Sequence, residues 1–106
     1  REAGNDWIVV QLGTSGFVDE IEIDTAHFKG NFPDQCSIQA ALVEKGFDVN
    51  SAENWKELMP KQSLSADAIH KFKKEIANDF GPVNAIRLNI YPDGGVSRLR
   101  IFGKAL

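Results

Sequence analysis

Residues 7–12 read Trp-Ile-Val-Val-Gln-Leu, a run of β-branched and aromatic side chains ending at Gly13, and they predict a strand. Thr14-Ser15-Gly16 has turn chemistry. A second strand is expected over residues 17–23. Its segment Glu20-Ile21-Glu22-Ile23-Asp24 alternates strictly, sending Ile21 and Ile23 to a core and the carboxylates to water. Residues 25–34 follow neither period, and Gly30, Asn31, Pro33 and Asp34 mark a loop, although one rich in chemically useful side chains. Residues 35–43 are apolar again and predict a third strand. Residues 44–54 are polar, with Gly46 and Asn50 as breakers, and predict a loop. A short strand is expected over residues 55–59, ended by Pro60, with a further short one over 61–64.

The pattern changes at residues 65–78, the one helical segment expected. Ser65 stands at the N-cap and Asp67 in the first turn, while Ile69, Phe72 and Ile76 fall at helical spacing and place His70 on a solvated surface. Asn78, Gly81 and Pro82 stop it. Beyond it, Ile86, Leu88 and Ile90 alternate with Arg87 and Asn89, and Leu99 and Ile101 alternate with Arg98 and Arg100. Between them Pro92-Asp93-Gly94-Gly95 has the signature of a tight turn, with the glycines supplying positive φ, so the two runs predict a hairpin. Six or seven short strands with one short helix define an all-β sandwich or barrel. A parallel α/β sheet would need helices between its strands.

At 106 residues the chain has room for one domain. A net charge of −3 and a pI near 5.3 argue against nucleic acid and against an anionic membrane as partners. No apolar run reaches the roughly 18 residues that span a bilayer. The single cysteine, Cys36, cannot form an internal disulfide, which favours a reducing compartment; it reads as a buried small hydrophobe. The chain opens on Arg1-Glu2-Ala3-Gly4 without a Met, as a piece of a longer protein would.

Two stretches go beyond fold class: Glu22-Ile23-Asp24-Thr25-Ala26-His27-Phe28-Lys29-Gly30-Asn31, and Arg87-Leu88-Asn89-Ile90-Tyr91-Pro92-Asp93-Gly94-Gly95-Val96-Ser97-Arg98-Leu99-Arg100. Both resemble the signature stretches of the allantoicase repeat. The opening residues 1–7 and Trp55-Lys56-Glu57-Leu58 fit the same family in the same order. The resemblance implies a jelly-roll β-sandwich of the galactose-binding-like kind. Residues 1–106 would form a partial repeat, lacking N-terminal strands and the other repeat. It also implies hydrolysis of allantoate to ureidoglycolate and urea in purine (allantoin) degradation, an intracellular setting (cytoplasm or peroxisome), and a homo-oligomer assembled through the rest of the chain. A jelly roll closes with about eight strands, so an unpaired edge is expected here.

Such chemistry needs a cation for the substrate carboxylate, partners for the ureido groups, and an acid and base for the leaving nitrogen and water. Arg87, Arg98 and Arg100, on polar faces of their strands, suit the first need through the planar guanidinium fork; surface charge is the alternative. His27 is an acid–base residue near neutrality. Asp24 either orients it or caps the loop. Asn31 and Lys29 complete the expected substrate contacts. No cofactor is expected; Asp24 and His27 alone do not make a metal site, so a divalent ion is left unsupported. Two other readings stay open: a non-catalytic ligand-binding jelly-roll module, and a structural repeat whose partner repeat carries the site.

Overall fold

The computed structural model of the chain describes residues 5–44, 46, 48 and 54–106. Its elements are β1 (Asp6–Asp24), β2 (Gln35–Ala41), β3 (Lys56–Ser63), β4 (Ile69–Phe72), β5 (Val83–Tyr91) and β6 (Arg98–Ala105). Every pairing is antiparallel, in the order β3-β2-β5-β1-β4, with β6 also on β1.

The two halves of β1 take different neighbours. Residues 6–11 pair with β5, whereas residues 16–24 pair with β6 and, over 21–24, also with β4. The expected turn at Thr14-Ser15-Gly16 is therefore not a turn. β1 is one strand of 19 residues whose register breaks between Gln11 and Gly16, where it leaves one layer for the other. Gly16 permits the change, since a Cβ there would lie 2.5 Å from the carbonyl oxygen of Lys104. The layer of β3, β2, β5 and early β1 faces the layer of β4, late β1 and β6. Between them Ile21, Ile23, Cys36, Ile38, Leu58, Met59, Phe72, Ile86 and Leu88 share one buried core. This is an all-β jelly-roll sandwich, as expected.

Three further local expectations are corrected. No helix forms over residues 65–78. β4 pairs there with β1, Asp67 has a φ of 48°, and the hydroxyl of Thr25 donates to the carbonyls of Ser65 and Ala68. Tertiary pairing overrides helical spacing, and Ile69, at 58% exposure, is not a core residue. Nor do β5 and β6 form a hairpin: β5 lies between β1 and β2, and β6 pairs with late β1 in the opposite layer. Lastly, Pro60 does not end a strand; β3 runs through it, which an edge strand tolerates because the missing N–H serves no ladder. Among the described residues the outer edge of β1 over 6–11 has no strand partner, and Trp7, Ile8 and Val10 are exposed along it. The loop expected over 44–54 and the opening Arg1-Glu2-Ala3-Gly4 lie partly or wholly outside the described residues.

Candidate functional site

Three connections cross between the layers at one end of the sandwich: residues 25–34, 64–68 and 92–97. Backbone bonds tie them together. Thr25 N–H donates to Ala68 O at 2.9 Å, Asp67 N–H to Phe28 O at 3.1 Å, Leu64 N–H to Asp34 O at 2.9 Å, and Gly95 N–H to Asn31 O at 2.7 Å. The two signature stretches thus meet in space. Gly94, at a φ of 134°, sits so close to residues 31–33 that a Cβ would lie 2.7 Å from backbone atoms of Phe32 and Pro33. Gly95 has no positive φ; the Phe28 ring packs against it so closely that a Cβ there would lie 2.0 Å from a ring carbon. The glycines serve close approach of two loops rather than a hairpin turn.

On this end His27 is exposed, at a φ of 73°, and its backbone N–H donates to the Asp67 carboxylate at 2.7 Å. Positive φ is uncommon outside glycine, and such conformations gather at functional sites. Lys29 and Asn31 are exposed on the same loop. Asp24 shapes the loop instead of reaching the imidazole. Its Oδ1 accepts the Ala26 N–H at 2.8 Å, as an aspartate does in a turn, and its carbonyl accepts the N–H and hydroxyl of Ser97 at 2.8 and 3.0 Å. Among the described residues no bond joins Asp24 to the His27 ring. His70 is corrected from a solvated residue to a fixed one. Its Nε2 accepts the Ser65 N–H at 2.8 Å, so Nδ1 carries the proton and donates to Ile23 O at 2.9 Å.

The three arginines do not converge. Arg98 stands opposite Asp24 and Arg100 opposite Glu22 on the outer face of the β4-β1-β6 layer, around a cleft of about 50 Å³ with Ile69. Arg87 lies on the outer face of the other layer, where Nε donates to Gln39 Oε1 at 2.8 Å and the guanidinium covers the Trp55 ring at 5.1 Å. Ser37, Gln39, Asn89, Tyr91 and Trp55 surround it, and none of these stood out in the sequence as a site residue. Their signal was the alternation of β2 and β5, in which Ser37, Gln39, Arg87, Asn89 and Tyr91 oppose the core positions. Among the described residues no three His, Cys, Asp or Glu side chains gather as metal ligands, and no helix is long and apolar enough to cross a membrane.

Fold and site together define a jelly-roll β-sandwich domain with its polar loops gathered at one end. The chain belongs to the allantoicase repeat family, whose model matches residues 1–106. It is 55% identical to a probable allantoicase of Photobacterium profundum over 106 residues, covering 97% of this chain and 32% of that protein. To a probable allantoicase of Stutzerimonas stutzeri it is 53% identical, covering 100% of this chain and 33% of the relative. The chain thus spans about a third of the length of these relatives. Among solved structures it is similar to the allantoicase of Saccharomyces cerevisiae, with a TM-score of 0.78 and 33% identity over 98% of this chain and 29% of that one. The C-terminal domain of a Bacteroides fragilis chitobiase shares the fold alone, at a TM-score of 0.69 and 18% identity over 99% of this chain and 67% of that one.

Proposed function

We propose that the full-length protein carrying this repeat is a hydrolase of allantoate. The observation that carries the reading is the match of the whole chain to the allantoicase repeat, with relatives named probable allantoicase at 55% and 53% identity. In this reaction the oxygen of water bonds to the central carbon of allantoate as one carbon–nitrogen bond breaks. The leaving nitrogen takes a proton, and urea and ureidoglycolate separate.

The loop end supplies this repeat's share. His27, exposed and with its backbone fixed by Asp67, carries the proton between water and the leaving nitrogen. Lys29 and Asn31 face the ureide from the same loop, and Asp24 holds the loop's shape through its bond to Ala26. Arg98 and Arg100 flank that end as the carboxylate-binding edge. An intracellular setting fits the single buried thiol of Cys36.

The test is urea release from allantoate by the full-length protein beside a His27→Ala variant, with folding followed by circular dichroism. Loss of about 100-fold or more in turnover by a folded variant supports both reaction and residue. Undiminished turnover keeps the reaction and removes His27 from it. A wild-type protein without turnover, with and without added divalent metal, removes the reaction.

A further inference from the structure

Among the described residues the two non-glycine residues at positive φ are His27, at 73°, and Asp67, at 48°. They are bonded to each other's turns. The His27 N–H donates to Asp67 Oδ1 at 2.7 Å, and the Asp67 N–H donates to the carbonyl of Phe28, the next residue after His27, at 3.1 Å. A residue with a side chain persists at positive φ only where its surroundings fix it, and here each of the two fixes the other. The φ at His27 also sets the direction of its Cα–Cβ bond, and so where the exposed imidazole points.

Asp67 is held in turn from β1 and β4. The Thr25 hydroxyl, fully buried, lies 2.7 Å from the Ser65 carbonyl and accepts the Ala68 N–H at 3.1 Å. The Ser65 N–H goes to His70: Nε2 accepts it at 2.8 Å, while Nδ1–H donates to the Ile23 carbonyl at 2.9 Å. Ile23 and His70 are partners in the register of β1 with β4, and the imidazole lies parallel to the Phe72 ring with centroids 6.4 Å apart. Thr25 and His70 therefore pin both ends of residues 65–68 to the core strand β1, with Asp67 between them. Both nitrogens of this half-buried imidazole are spent on backbone groups.

We propose that His70 is a positioning residue for the hydrolysis: it pins the turn whose Asp67 holds His27 in the left-handed conformation that presents its imidazole at the loop end. The role rests on the reading of His27 as the proton carrier. His70 acts through Asp67 rather than on substrate, since neither ring nitrogen is free. Lys29 and Asn31 lie beyond this clamp, and the Asn31 carbonyl is fixed separately by the Gly95 N–H. Releasing the clamp displaces the proton carrier and leaves those substrate contacts in place, so the loss falls on kcat rather than KM.

The test compares wild type with His70→Phe, His70→Asn, Asp67→Gly and Asp67→Asn in the full-length protein, by urea release from allantoate and by hydrogen exchange of the His27 amide. His70→Phe keeps a ring beside Phe72 and loses both bonds, and His70→Asn is too short to reach Ser65. Asp67→Gly keeps a free φ and loses the acceptor, whereas Asp67→Asn keeps Oδ1 and tolerates positive φ. Support is a kcat lowered about tenfold or more in His70→Phe and in Asp67→Gly, with KM within about twofold, faster exchange at His27, and no further loss in the double variant. Asp67→Asn should retain most of the wild-type kcat. Should His70→Phe fail to fold by circular dichroism, His70→Asn decides in its place. Unchanged kcat or unchanged exchange at His27 in the folded His70 variant overturns the proposal. So do additive losses, losses carried by KM, or an Asp67→Asn variant as impaired as Asp67→Gly. Wild type without turnover removes the reaction and this role with it. Turnover that His27→Ala abolishes and the His70 variants leave intact removes this role alone.

Discussion

The two outer faces of the sandwich carry their positive charges differently. On the β4-β1-β6 layer, β1 runs through the middle with Glu20, Glu22 and Asp24 on its outer side, and cations flank it. Glu22 stands between Lys71 and Arg100, Asp24 stands beside Arg98, and Lys73 reaches Glu20 at 3.4 Å. On the other layer, the strand beside Arg87 offers an amide, Gln39, and no acid. The first face sets its cations opposite carboxylates across the strands, whereas on the second Arg87 is oriented by an amide and an aromatic ring, and Lys61 lies over the Tyr91 ring. What an arginine on a strand can do is thus set by its cross-strand neighbour more than by its own alternation.

The strongest way to break this contrast is at the turn that carries the chain from one face to the other. Gly94→Ala would need an alanine at a φ of 134° with its methyl 2.7 Å from the backbone of residues 32 and 33, where no flexible side chain can yield. A loss of about 3 kcal/mol or more is expected from strain and overpacking together, read as a lowered denaturation midpoint of the full-length protein. An unchanged midpoint would mean that the two signature loops do not hold each other. The next effect belongs to Arg87→Met, which removes two charge-assisted bonds and leaves Gln39 Oε1 with one donor. About 2 kcal/mol is expected, read from the same midpoint.

A third probe sits directly beneath the Arg87 face. Cys36 is fully buried, and burial pushes its pKa from 9.0 to about 12. The unfolded chain gives up the thiol proton near pH 9 while the folded chain keeps it. Stability from this group is therefore whole below pH 9 and falls as the pH climbs toward 12, by at most about 1.4 kcal/mol per pH unit. Denaturation midpoints at pH 8 and pH 10, compared with those of Cys36→Ala, isolate the contribution. A slope identical in both proteins would place the thiol in contact with water.

Much of this was legible in the sequence, and the limits have a physical cause. Apolar and β-branched content marked β2 and the first half of β1, alternation marked the second half of β1 and β5, and the absence of any period marked the loop over residues 25–34, because composition and side-chain direction are local properties. Which strands become neighbours is not local. Arg87 and Arg98 read as one hairpin's outer side, yet β5 and β6 lie in opposite layers. The spacing of Ile69, Phe72 and Ile76 suggested a helix because it ignores Thr25, whose hydroxyl takes the Ser65 and Ala68 carbonyls from 40 or more residues away. Ser37 and Gln39 were hidden inside an apolar run whose other members go to the core. Asp24 was legible as either orienter or cap, and only the position of the Ala26 N–H separates the two.

The smallest effect is the one that tests the contrast between the faces most directly. Arg98 and Arg100 are exposed, and their carboxylate neighbours sit across a solvated strand face. Among the described residues neither arginine comes within ion-pair distance of its carboxylate neighbour, and exposed opposite charges facing each other across solvated strands contribute below about 1 kcal/mol, because water screens them. The contribution should also shrink with salt, since the Debye length falls from about 10 Å at 0.1 M to about 3 Å at 1 M. Arg98→Met and Arg100→Met are therefore expected to lower stability slightly at low salt and not at all at 1 M. The loss from Arg87→Met should persist at 1 M salt, because its partner is a neutral amide packed beside an aromatic ring. Parallel salt dependence in all three variants would mean that Arg87 is surface charge like the others, and the distinction between the two faces would go with it.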